Sequence, residues 1–165
     1  EQGYPIVLPL LILLLLLGSC SNADDRNRRD QRLHQALSYY RNQKFTEAGQ
    51  LTQNLIRKNP DWPAPQILNA KILFFTRKFR EAENQLRETL DKNPNHPYAR
   101  QWLARAIATQ PERLTEAVAV LAQMLQRNPD DSVAHYLLAR CAERLGQREK
   151  AIRHYHQPDP HLKIC

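Results

Sequence analysis

Histidine and cysteine gather at the end of this chain, where His154, His156, His161 and Cys165 lie close in sequence. Imidazole and thiolate are the donors of a zinc site. The spacing argues against one, because His154 and His156 are two apart, and such a pair on a helix points in different directions. These histidines are expected to be solvated tail residues. Cys141 precedes Ala142 in an apolar stripe and is expected to pack as a small residue; a thiol nucleophile would need a base beside it in a cleft. In an oxidising compartment it could instead pair with Cys165. Glu81 and Glu83 read as acids on a polar helix face that serve solubility. With 4 glycines there is no phosphate-cradling loop, and no CxxC, HExxH or EF-hand spacing occurs. No catalytic residue, no cofactor and no metal are expected.

What remains is binding chemistry. The 165 residues suggest one domain, and their formal net charge is +7. Residues 1–19 carry one charge, Glu1, so without them the charge is +8. A basic surface can meet nucleic acid, anionic lipid or an acidic protein face, and compartment decides among these.

Ile6 to Leu17 is apolar apart from Pro9. That run is short for a bilayer span and suits the core of an export signal. Leu17-Gly18-Ser19-Cys20 follows, and it resembles a bacterial lipobox. The resemblance implies cleavage before Cys20 and a lipid on its sulfur. In lipoproteins of enteric type, Asp after the cysteine resembles an inner-membrane retention signal; Ser21 stands there instead, so the resemblance implies the outer membrane. No Lys or Arg precedes the apolar run, and the chain starts at Glu1, so a clipped N-terminus is expected. Residues 20–29 are read as the lipidated Cys20 and a polar, solvated tether that can merge into the first helix.

The elements behind any binding surface follow from a repeat. Asn-Pro recurs at Asn59-Pro60, Asn93-Pro94 and Asn128-Pro129. Alanines keep the same ruler: Ala70, Ala104 and Ala139 after each proline, then Ala82, Ala117 and Ala151, with Ala36 and Ala48 before the first. Apolar residues between them keep helical spacing, as in Leu33, Ala36, Leu37 and Tyr40. Each Asn-Pro ends a helix, since proline lacks the N–H and pushes its predecessor out of helical geometry. Lys44, Lys78, Gly146 and the Gln110-Pro111 region mark short turns, and Thr46 and Thr115 are expected helix caps. The spacing predicts stacked helical hairpins.

On these residues the chain resembles the tetratricopeptide repeat family across about residues 30–160. The resemblance implies an all-α solenoid of about four helix-turn-helix hairpins, with small residues at the helix crossings. It follows an export signal (1–19) and the short tether (20–29), and a tail (161–165) closes the chain. Three departures stand out. Thr52 occupies a place for a large apolar residue, the third repeat has an extra residue near Pro111, and Pro158 and Pro160 cut the fourth short. No capping helix follows, so a truncated end or a partner on that face is expected.

The resemblance also implies that first helices line an inner groove. Lys71, Arg105 and Arg140 each follow a first-helix alanine and would form a cationic ladder there. Tyr40, Phe75, Tyr98 and Tyr136 would flank it. Such a groove suits an extended or helical peptide with acidic and aromatic side chains. The asparagines of the family's chaperone-binding carboxylate clamp are not found. The function implied is a non-enzymatic, lipid-anchored adaptor or assembly factor at the bacterial cell envelope, on the outer membrane facing the periplasm. Helper lipoproteins of type IV and tight-adherence pili are similar in layout. No nucleic acid partner is expected. Two alternatives stay open: a basic solenoid binding nucleic acid if the N-terminal signal is not real, and a binding subunit of a cell-wall enzyme complex.

Overall fold

The structure, a computed structural model, describes the backbone of residues 7–156 and the side chains of residues 24–156. Among the described residues there are eight α-helices and no strand: α1 (Val7–Arg41), α2 (Phe45–Lys58), α3 (Pro63–Phe75), α4 (Phe79–Lys92), α5 (Pro97–Ile107), α6 (Leu114–Arg127), α7 (Ser132–Arg144) and α8 (Arg148–Tyr155). Consecutive helices pack as four hairpins, and the second helix of each leans on the first helix of the next. First helices also approach one another, α1 with α3, α3 with α5 and α5 with α7. In a curved stack the closer spacing marks the inner side, so α1, α3, α5 and α7 face inward.

The alanine ruler is the packing code. Ala36, Ala48, Ala70, Ala82, Ala104, Ala117, Ala139 and Ala151 are all at most 3 % exposed. A methyl side chain at each crossing lets two helices approach closely; anything larger would force them apart. Thr52, the expected misfit, is fully buried and satisfied. Its single hydroxyl proton is shared between the Gly49 carbonyl at 2.9 Å and Asn69 Oδ1 at 3.2 Å.

Each Asn-Pro makes the same turn. Asn59, Asn93 and Asn128 are extended C-cap residues with φ of −138°, −131° and −137°. Their carbonyls accept from the N–H of Trp62, His96 and Asp131. Six residues beyond each proline a side chain reaches back to that proline's carbonyl: Gln66 to Pro60, Arg100 to Pro94 and His135 to Pro129. Three residue types thus make one latch, and it holds each first helix to the turn that starts it. The hairpin turns repeat as well. The N–H groups of Lys44, Lys78 and Gln147 bond back to the carbonyls of Tyr39, Leu73 and Ala142. Gln43, Arg77 and Gly146 take the left-handed φ that this helix-ending motif requires.

Some expectations change. Thr46 and Thr115 lie inside the first turns of α2 and α6 and cap neither, for Lys44 and Arg113 hold the cap positions without a side-chain bond. The caps that form are Asp131, which accepts from the Ala134 N–H at 2.9 Å, and His96, which accepts from the Ala99 N–H at 3.4 Å. Residues 20–29 are helical, part of α1, and residues 24–28 are exposed. Ile6 lies outside the described residues, and the rest of the apolar run and Cys20 lie where only backbone is described. Pro158, Pro160, His161 and Cys165 lie outside the described residues. Among the described residues no helix is long and apolar enough to cross a membrane.

The extra residue of the third repeat has a structural role. It becomes a single 3-10 turn, Pro111–Arg113, which delivers Arg113 to α4. Glu83, expected on a solvated face, is 7 % exposed and accepts from Arg113 twice at 2.8 Å and from Arg87 at 2.8 and 2.9 Å. Glu116 closes the network, bonded to Arg87 at 2.7 Å and Arg113 at 2.8 Å. The hydrogen bonds from Arg113 are the main reason the Glu83 carboxyl is held below its ordinary value.

Candidate functional site

Three first-helix residues predicted for the groove converge on a fourth, Trp102. Lys71 Nζ lies 5.2 Å from the centre of the Trp102 ring, and the Arg105 guanidinium lies 5.0 Å from it. Phe75 packs on the same indole, with ring centres 6.0 Å apart. The register explains this. Lys71 and Phe75 are one turn apart on α3, Trp102 and Arg105 one turn apart on α5, and the two helices are neighbours on the inner side. The rings continue toward the first hairpin. Phe75 meets Tyr40 at 5.9 Å and stacks on Phe45 at 6.2 Å, while Phe74 joins Trp102 edge-on at 5.5 Å.

The electrostatics of this cluster are unbalanced. Among the described residues neither Lys71 nor Arg105 makes an ion pair with a carboxylate. The Arg105 Nε is buried with no hydrogen-bond acceptor. Burial pushes the Lys71 ammonium below its ordinary value, and the Arg105 charge pushes it further. Burial pushes the Tyr40 phenol up, with Arg105 pulling it part of the way back. Two cations on an aromatic floor, with no carboxylate answering them among the described residues, are arranged to receive an anion.

Arg140 and Tyr136 stand in a separate group one hairpin on. Arg140 Nε is 3.8 Å from Glu143 of its own helix, so its charge is partly answered. Tyr136 packs against Tyr155 at 6.2 Å, and both rings are exposed. Tyr98 is 62 % exposed and touches the ring of His96. The three-step ladder therefore resolves into a two-cation centre at Lys71 and Arg105, with Arg140, Tyr136 and Tyr98 outside it. Trp102, Phe45 and Tyr155 are the residues that sequence reasoning missed. Trp102 is 9 % exposed and keeps the apolar spacing of a core residue, so only its contacts reveal it.

The tail histidines divide too. His154 is only part-exposed and has a partner: its Nδ1 is 3.0 Å from His135 Nδ1, and His135 Nε2 is 2.8 Å from the Pro129 carbonyl. That carbonyl can only accept, so His135 carries its proton on Nε2 and accepts from His154 Nδ1–H. Burial first, then the charges of His135 and Arg153, hold His154 below its ordinary value. Among the described residues no group of three metal donors forms. Cys141 is buried and packs as a small residue, its thiol pushed up by burial.

Comparisons agree with the architecture. Tetratricopeptide repeat family models match residues 32–61, 67–132 and 108–160. No curated protein sequence matches the chain. Among solved structures, the chain is similar to TTC0263, a thermophilic TPR protein of Thermus thermophilus. The two are 18 % identical, with 78 % of this chain and 72 % of that one covered and a TM-score of 0.72. It is also similar to MamA residues 41-end from Desulfovibrio magneticus RS-1 (21 % identical, 76 % and 71 % covered, TM-score 0.66). MamA of MSR-1 gives 21 % identity, 76 % and 72 % coverage and a TM-score of 0.62. At these identities the likeness is one of fold. Stacked hairpins with buried alanine crossings, matched by three repeat models along the chain, make this protein a member of the tetratricopeptide repeat family.

Proposed function

We propose that this protein is a non-enzymatic adaptor at the bacterial cell envelope, whose inner face holds an acidic, aromatic-bearing segment of a partner protein. The repeat fold supports protein–protein interaction in general. The observation that carries the specific reading is the unneutralised pair, Lys71 and Arg105, on the Trp102 ring. A carboxylate from the partner would pair with both cations. The exposed edge of Phe75 would take a neighbouring aromatic side chain. The apolar run and Leu17-Gly18-Ser19-Cys20 supply the envelope part of the reading, with Cys20 lipidated and the outer membrane as the site.

Two measurements test it. Metabolic palmitate labelling should mark the wild-type chain and not Cys20→Ala; an unlabelled, freely soluble product contradicts the anchor. Affinity capture from envelope extract should recover a partner with wild type and lose it with Lys71→Glu/Arg105→Glu. Equal recovery would remove the site and leave the fold untouched.

A further inference from the structure

At the start of the solenoid lies a second cationic surface that the adaptor reading does not use. A cleft of about 740 Å³ opens between α1 and the end of α2. Arg26, Arg28, Arg29 and Arg32 line it from α1 and Lys58 from α2, against one acid, Asp25. Arg28 is occupied by Asp24 at 2.9 Å and Asp25 at 2.8 Å. Arg29 pairs with Asp30 at 3.4 Å, and its guanidinium lies over the Trp62 ring at 4.3 Å. Among the described residues Arg32 and Lys58 make no ion pair. Several guanidinium groups and an ammonium converging on one opening match the oxygens of a phosphate ester.

Position selects among phosphate esters. α1 is one unbroken helix from Val7 to Arg41, so Cys20 and the arginines share an axis. At about 1.5 Å rise per residue, Arg26 lies about 9 Å and Arg32 about 18 Å beyond Cys20. The polar layer of a bilayer is several ångströms deep, and charge is felt for about 8 Å beyond it at physiological salt. A chain held at Cys20 would therefore carry this cleft within reach of the phosphate plane. We propose that the cleft binds the headgroups of anionic phospholipids and so sets the angle at which the solenoid leaves the membrane. The choice of lipid over other phosphate esters rests on the envelope reading above; the cleft itself does not.

The test is flotation of the full chain with vesicles of phosphatidylcholine alone or with about one third phosphatidylglycerol. Retention on neutral vesicles reads the anchor, and the excess on anionic vesicles reads the cleft. The excess should be about tenfold at low salt and vanish at high salt. Arg29→Glu/Arg32→Glu/Lys58→Glu should lose the excess, and Lys71→Glu/Arg105→Glu should keep it. The milder Arg29→Gln/Arg32→Gln/Lys58→Gln should lose most of it with unchanged helical circular dichroism. An anionic excess that survives in the cleft variants overturns the proposal, as does equal retention on both vesicles or on neither. Binding of a single-stranded oligonucleotide through Arg29, Arg32 and Lys58, at concentrations where anionic vesicles are not held, overturns it in favour of nucleic acid.

Discussion

Burial and availability part company at Trp102. Its indole is 9 % exposed, yet two cations and Phe75 lie on it, so it organises a surface without being one. Replacing it with Leu should keep the fold while loosening Lys71 and Arg105, and partner affinity should fall about tenfold, the scale of a lost cation–aromatic floor. Lys71→Ala and Arg105→Ala should each cost a further charge-assisted contact, again about tenfold, by isothermal titration with the captured partner. The alanine ruler marked the helix on which each of these residues sits. It could not mark Trp102, because an apolar residue in an apolar stripe carries no sign of what its ring face meets. The same limit hid Glu83, which the sequence places on a polar face and the fold inserts between two arginines. Glu83→Gln should lower stability by about 2 kcal/mol at neutral pH in urea unfolding. The Glu83 carboxyl is depressed below its ordinary 4.5 when folded, so its contribution is complete above that value. It is lost as pH falls through the depressed folded value, and the gap between wild type and variant should close there.

The helices are joined by two turns used repeatedly, and both can be tested. Gly146 has a φ of 71°, and an added Cβ would meet nothing within 4 Å. Gly146→Ala should therefore cost about 1 kcal/mol from backbone conformation alone. Gln43 and Arg77 already carry that cost at φ 58° and 63°, so Arg77→Gly should be neutral or stabilising by up to about 1 kcal/mol in thermal unfolding. The breaks themselves were legible in the sequence as Asn-Pro and as short polar turns. The proline-carbonyl latches were not, since Gln66, Arg100 and His135 share a register and no chemistry. The fourth hairpin adds a pH dependence to its latch. His154 is depressed below 6.5 when folded, and it faces His135 on α7 and Arg153 and Lys150 on its own helix. Packing of α7 on α8 is thus complete above about 6.5 and weakens as pH falls toward the folded value of His154. Protection factors in α8, which correct for the slower intrinsic exchange at low pH, should fall as pH falls from about 7 to about 5.5, while those in α3 and α4 hold. His154→Gln should flatten that response.

At the scale of the molecule, the solenoid carries its two basic surfaces in different repeats. The two-cation centre sits where α3 meets α5, and the arginine cleft sits at the start, between α1 and α2. That separation keeps the two sets of charges from competing for one ligand. The overall architecture was readable because a repeated ruler constrains every hairpin alike. The break in the predicted cationic ladder was not readable, because Glu143 answers Arg140 from the same helix face and nothing similar answers Lys71 or Arg105 among the described residues. The most direct test is selection of a displayed random peptide library on the wild-type chain, counter-selected on Lys71→Glu/Arg105→Glu. The account predicts peptides with Asp or Glu beside an aromatic residue, bound at least about tenfold more tightly by wild type. Basic or purely apolar peptides, or acidic ones that bind the double variant equally well, would contradict it.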